Sequence, residues 1–305
     1  MSKKLRGLFR KQENDVPPTH RDAGREIETA PLTTLARDTE DPIAQIKSVT
    51  KFVYATGQSV GLVRKHNEDT LFAMSSFLSD GADDRRYGVF IIADGMGGHQ
   101  NGEVASRVAV NVSASDLINE IALSFSEGDP QSQLIRLEAA VESAVQKANR
   151  SVKTSVPGGG TTLTILVIAG DTYIIGHVGD SRLYLIDEKK HISIVTKDHS
   201  FVQKLIDLHE ITEEEARTHP NRNMILRAIG QHEPLAPDVI TGKVPLNGYL
   251  MLCSDGLWGM VRNEQLLKTV EAAKSCEQAC QALLDLANKA GGLDNISVIL
   301  VKFSG

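Results

Sequence analysis

The stretch FIIADGMGGH, residues 90–99, ends an apolar run on an acid, Asp94, and continues through Gly95, Met96, Gly97 and Gly98. An acid at a strand end, followed by backbone without side chains, lets a ligand come close. The same grammar recurs along the chain. HNEDTLFA places Asn67, Glu68 and Asp69 at a strand start, and IGHVGDSRLYL places Asp180 between two strands. LMLCSDGLW puts Asp255 at a strand end, and GGLDNISVIL puts Asp294 at a strand start. One such acid is an ordinary turn residue, because Asp and Asn beside Gly suit turns. Five of them, flanking the most apolar runs, predict central strands whose ends meet at one edge of the core.

Carboxylates crowded there repel one another and raise each other's pKa. A hard divalent cation relieves this, and all-oxygen donors suit Mg2+ or Mn2+. Mg2+ keeps several waters, so few protein ligands are needed and two ions can share one bridging aspartate. Gly95, lacking a Cβ, can offer its carbonyl to a metal held by Asp94. Arg64, five residues before Asp69, presents a planar donor fork that fits phosphate oxygens. Its alternative is a surface ion pair with Glu68 or Asp69.

Around these acids the chain is ordinary for a globular protein. It has 305 residues, 41% hydrophobic and 24% charged, with a formal charge of -6. That balance gives no global basic field for nucleic acid. No run approaches the roughly 20 apolar residues that span a bilayer. Three cysteines, Cys253, Cys276 and Cys280, cannot form a closed set of intrachain disulfides, which points to a reducing, cytoplasmic setting.

Residues 1–48 are polar, charged and rich in Pro and Thr, and read as a flexible leader. Within it, KKLRGLFRK is either a solvated tail or a basic segment touching anionic lipid. Thr29, Thr33 and Thr34, set among acids, are candidate phosphorylation sites. Residues 49–305 read as one domain. Strand-like runs cover 51–59, 69–76 and 87–94. A helix follows with Val104, Val108, Val112, Leu117 and Ile121 inward, then a second over 131–153. TTLTILVIAG, DTYIIGHVGD, RLYLIDE and HISIVT read as four strands whose short turns favour antiparallel hairpins. Strand clusters alternating with helix pairs predict packed sheets covered outside by helices.

Other chemistries lack support. PGGGTT has no lysine for a phosphate loop. Cys253 has Gly259 where a cysteine phosphatase needs its arginine, and no GxSxG occurs. Cys276 and Cys280 share one helix face as core thiols. His66 and His99 lie near the acids, and His199 reads as ordering a loop.

Taken in order, RKHNED, ADGMGGH, GGGTT, GHVGDSRLYL, TKDHS, CSDGLW and DNISV resemble the motifs of the metal-dependent PPM phosphatases of protein phosphatase 2C type. The resemblance is closest to the bacterial serine/threonine phosphatases and runs from about residue 52 to the C-terminus. It implies an α+β fold, a four-layer α-β-β-α sandwich of two antiparallel sheets flanked by helix pairs. It implies two Mn2+ or Mg2+ ions. Asp94 would bridge them, with Gly95 offering its carbonyl to one and Asp255 and Asp294 holding the other. Glu68 and Asp69 match acids that hold metal-bound waters, and Asp180 with Asp255 matches a weaker third site. Arg64 matches the phosphate-binding arginine, and residues 196–230 match a flap beside the cleft.

The implied activity is hydrolysis of phosphoserine and phosphothreonine in proteins by a metal-bridging hydroxide. The expected partners are phosphoproteins and an opposing serine/threonine kinase, with the enzyme a monomer. Two departures stand out. Met96 replaces the histidine that follows DG in animal members, so leaving-group protonation must come from elsewhere. Gly259 replaces an aspartate, which weakens third-ion binding. A catalytically dead relative would have lost an acid, whereas Asp94, Asp255 and Asp294 are all present.

Overall fold

The computed structural model describes residues 51–79, 84–97, 100–124 and 130–304. The leader of residues 1–48, with its lipid-contact and phosphorylation readings, and His99 lie outside the described residues.

In chain order the strands are β1 (Lys51–Ser59), β2 (Asp69–Ser79), β3 (Asp84–Met96), β4 (Gly160–Thr161), β5 (Leu163–Ala169) and β6 (Thr172–Val178). They continue as β7 (Arg182–Ile186), β8 (Ile192–Ile194), β9 (Asp238–Lys243), β10 (Tyr249–Cys253) and β11 (Ile296–Ser304). The helices are α1 (Gln100–Ser124), α2 (Pro130–Ser155), α3 (Phe201–Asp207), α4 (Glu213–Thr218), α5 (Asp255–Trp258), α6 (Asn263–Ala272) and α7 (Cys276–Lys289). One sheet runs β2-β3-β5-β6-β9 with β4 paired to β3; the other runs β1-β11-β10-β7-β8. Every named pairing is antiparallel.

Strand periodicity dictates the layering. In β3, Val89 and Ile91 pack with the helices α1 and α2, while Phe90 and Ile92 face the other sheet. In β11, Val298 and Leu300 pack towards α7, while Ile299, Val301 and Phe303 face inward between the sheets. Side chains that alternate faces along a strand can bury both sets only if each sheet is covered on both sides. A helix pair, two sheets and a second helix pair satisfy that demand, as the expected four-layer sandwich requires.

Two local expectations differ from the structure. On α1 the buried positions include Ala105, Ser106, Ala109, Val110, Ser113, Leu117 and Ile121, whereas Val104, Val108 and Val112 are partly buried. The helix packs against both α2 and the sheet, so small residues take the line of closest approach. The short turn after β6 does not make a hairpin, because β6 and β7 belong to different sheets. The chain crosses the sandwich through Gly179 and Asp180, with Gly179 at φ +114°. Its side-chain position is also closed by Thr162, so glycine suits this crossing.

Residues 196–230 carry α3 and α4 and are anchored at both ends. The His199 N–H donates to the Gly179 carbonyl at 2.7 Å at one end and Ile229 bridges Thr161 at the other, while Ser200 bridges Ile225 within the segment. Ser200 caps α3 by accepting from Gln203 N–H, and Thr212 and Glu215 form a capping box on α4.

Candidate metal centre and active site

The strand order brings the acids to one seam of the sandwich. Asp69 at the start of β2 lies directly opposite Asp94 near the end of β3. Asp255 opens α5 immediately after β10, and Asp294 stands two residues before β11. Asp180 occupies the turn that crosses between sheets. Arg64, Glu68, Asp94, Gly95, Asp180, Asp255 and Asp294 all line one cleft of about 480 Å3. A second cavity of about 150 Å3, between the flap and the body, shares Asp180, Asn223 and Asp255 with it.

Backbone and hydroxyl contacts fix each acid. The Asp94 N–H donates to Thr162 Oγ1 at 2.8 Å, and its carbonyl accepts from Thr162 N–H at 2.8 Å. Asp69 is buried, and its Oδ2 accepts from Ser254 Oγ at 2.8 Å and Ser297 Oγ at 2.7 Å. Those serines belong to the other sheet's strand ends, so Asp69 clamps the two sheets together. The Asp180 carbonyl accepts from Trp258 Nε1 at 3.0 Å, and Gly179 N–H donates to His199 Nδ1 at 3.1 Å. Asn295 Oδ1 accepts from Glu68 N–H at 2.8 Å, and its Nδ2 donates to the Val60 and His66 carbonyls, both at 2.9 Å. That single amide shapes the loop carrying Arg64.

Gly95 has a packing reason beyond an open carbonyl. A Cβ there would collide with the Gly102 carbonyl in the first turn of α1 and crowd the Glu68 carbonyl. Arg64 pairs with neither Glu68 nor Asp69; its Nη2 donates to Asp294 Oδ2 at 2.7 Å.

Burial dominates the electrostatics. Asp94 is pushed well above the usual carboxylate range by burial and then by the charges of Asp69, Asp255, Asp180 and Asp294. Burial raises Asp69 to about 7 against its two serine hydrogen bonds. Asp255 is raised to about 6 by burial and then by Asp294, against a lowering hydrogen bond with Asp94. Asp180 is raised by burial and then by Asp255 and Asp198.

Several supporting groups stand inside the quoted motifs GGGTT, CSDGLW, DNISV, GHVGDSRLYL and TKDHS, but their partners are not legible there. Ser254, Ser297, Thr162 and Asn295 act through partners tens to hundreds of positions away. Arg182 stacks over the Trp258 ring at 3.6 Å and grips Asp198 at 2.9 and 2.8 Å. His199 does order a loop. Its Nε2 sits 3.1 Å from Asp238 Oδ2, and its Nδ1 takes the Gly179 N–H, so the flap is tied to the turn bearing Asp180.

The donors suit hard cations. Asp69 Oδ1, Asp180 Oδ1 and Asp255 Oδ1 are buried without a hydrogen-bond partner. Buried, mutually repelling carboxylates with vacant lone pairs call for a positive charge. Among the described residues no three acid, imidazole or thiol side chains close around one point. Hard ions that keep most of their waters need few protein ligands each.

A family model described as protein phosphatase 2C matches residues 66–290. The chain belongs to this family. The phosphatase is 32% identical over 248 residues to the serine/threonine phosphatase stp of Listeria monocytogenes, covering 79% of this chain and 92% of that protein. The structure of the Streptococcus agalactiae serine/threonine phosphatase is similar at TM-score 0.70 and 32% identity, covering 83% of this chain and 99% of that one. The catalytic domain of the serine/threonine phosphatase PstP, solved with two manganese ions, is similar at TM-score 0.67 and 32% identity, covering 85% and 100%. The chain is a metal-dependent protein serine/threonine phosphatase of the bacterial type. Among the described residues no helix is long and apolar enough to cross a membrane.

Proposed function

We propose that Asp94, Asp255 and Asp294 hold two Mn2+ or Mg2+ ions, with Asp94 shared and the Gly95 carbonyl as a further ligand. Asp180, with Asp255, is the candidate for a weaker third ion. Glu68 and the buried Oδ1 of Asp69 are the candidates for holding metal-bound waters beside the pair. The observation that carries this reading is the convergence of Asp94, Asp180, Asp255 and Asp294 on one cleft, with Oδ1 of Asp180 and of Asp255 buried and without a hydrogen-bond partner. When bound, the ions supply Lewis-acid activation of water and neutralise charge on the phosphoryl oxygens.

The remaining work falls to this chain's own side chains. Arg64 exchanges Asp294 for the incoming phosphate and holds it through its donor fork. No serine, threonine or cysteine is among the described residues lining the cleft, so no phosphoenzyme is invoked. Met96 lines the cleft and has no proton to give a leaving group. Asp69, Ser254 and Ser297 keep the two halves of the site in register. The substrates are phosphoserine and phosphothreonine proteins, and the functional opposite is a serine/threonine kinase. We take the working unit to be a monomer, since one chain builds the whole cleft. Three free, buried cysteines favour a reducing, cytoplasmic setting.

The test is turnover of p-nitrophenyl phosphate and a phosphothreonine peptide with Mn2+ and with chelator. Asp94→Ala and Asp255→Ala should fall to background while remaining folded. Metal-dependent turnover in either variant would overturn the assignment.

A further inference from the structure

Beside the cleft, large aliphatic side chains stand in water. Leu62 is 70% exposed, Val63 62%, Leu293 51% and Val60 37%. They sit on two adjoining loops. The N–H groups of Leu62 and Val63 both donate to the Gly292 carbonyl, at 2.7 and 3.3 Å. A Cβ on Gly292 would touch Leu62 Cγ, and one on Gly291 would touch Leu293 and Met260, so the aliphatic groups bracket a bare glycine pair. Scattered exposed aliphatics need no explanation, but a contiguous group bordering a cleft does.

The loops are held in place. Asn295 ties the Val60 and His66 carbonyls and the Glu68 N–H to the start of β11. The same loops carry Arg64 and Asp294, so the aliphatic patch runs into the place where phosphate would dock. Successive residues of an extended peptide are about 3.3–3.6 Å apart. A residue one or two positions from the phosphorylated one therefore reaches as far from Arg64 as Leu62 and Val63 do. Beyond Arg64 the cleft lining turns polar, with Lys65 and His66.

We propose that Val60, Leu62, Val63 and Leu293 form a docking surface for an aliphatic side chain flanking the phosphoserine or phosphothreonine of the substrate protein. The surface makes the phosphatase selective on one side of the phosphorylated residue. This rests on the reading of Arg64 as the phosphate-binding group.

The experiment uses the full chain with Mn2+ and phosphopeptide pairs that differ only by Leu or Ser at each of the two positions on either side of phosphothreonine. Every kcat/KM is divided by that of the same protein on p-nitrophenyl phosphate, which has no flanking residues. The wild type should favour Leu on one side by about tenfold, through KM, the low end of what an apolar contact discriminates. The double variant Leu62→Ser/Leu293→Ser should lose that preference, while Leu62→Met should keep it, with all three matched in thermal melting. A wild type indifferent to flanking residues, or a double variant that keeps the preference, would overturn the proposal. So would a double variant whose sole change is from dimer to monomer, which would assign the patch to a second copy of the chain. Failure of the wild type to hydrolyse p-nitrophenyl phosphate would instead refute the phosphate-site reading.

Discussion

Arg64 Nη2 lies 2.7 Å from Asp294 Oδ2, with 50% and 29% of the two side chains still in water. A pair that exposed contributes at most about 1 kcal/mol to stability, so a phosphate can displace the carboxylate cheaply. Arg64→Ala should therefore leave the melting temperature nearly unchanged and raise KM for a phosphopeptide about tenfold or more, the loss of a charge-assisted hydrogen-bonded contact. Arg64→Lys should recover only part of that, because a point charge cannot reproduce the fork. Steady-state kinetics on the three proteins checks both statements.

Asp94 is destabilising without its cation, since burial and four neighbouring carboxylates oppose its charge. Asp94→Asn should raise the stability of the metal-free protein at neutral pH, because it removes a charge that burial and its neighbours oppose. The same variant should gain little from added Mn2+, whereas the wild type gains strongly. Thermal melts with chelator and with Mn2+ give the crossing pattern.

The pH dependence of the metal-free protein has a definite sign. Asp69 and Asp255 have folded values of about 7 and about 6, above the ordinary 3.8. Between those limits the folded state holds more protons than the unfolded chain, so stability declines as pH rises. Their stabilising protonation is fully present below about pH 3.8 and is lost by about pH 7. Urea unfolding at pH 5 and pH 7.5 in chelator should show the higher value at pH 5. Saturating Mn2+ should flatten or invert the difference.

Arg182 and Asp198 form a largely buried pair, with 14% and 5% of their side chains exposed. Asp198→Ala strands the guanidinium over Trp258 and should destabilise by about 3–5 kcal/mol, the usual result of breaking a buried pair. Replacing both, as Arg182→Met/Asp198→Ala, should be less harmful than the single change. Chemical denaturation of the two variants decides it.

Ser297→Ala leaves Asp69 Oδ2 with Ser254 as its remaining hydroxyl donor. The expected loss is about 1–3 kcal/mol, the range for removing one partner of a buried polar group. Equilibrium unfolding in urea measures it.

The acids were legible because turn chemistry and strand ends leave a local signature: Asp94, Asp255 and Asp294 each stand where an apolar run meets glycine or asparagine. The layering was legible because runs such as LTILVIA are buried on both faces. What escaped was tertiary. Nothing near Arg64 in sequence announces Asp294, 230 positions away. Asp198, inside TKDHS, announced no role because its partner Arg182 belongs to a strand of the sandwich. The valines of α1 gave way to alanines because helical spacing identifies a face but not which line on it comes closest to a neighbour. The turn at Gly179–Asp180 looked like a hairpin because its length is the same whether the next strand pairs with β6 or departs for the other sheet.

That departure has a mechanical consequence. Asp69 and Asp94 are rooted in one sheet and Asp255 and Asp294 at the strand ends of the other, while Asp180 rides the crossing itself. A cation gripped among them would act as a rivet through both plates. Its departure should then slacken the joint as a whole, so that amide exchange quickens along β3 and β10 together and not at a single loop.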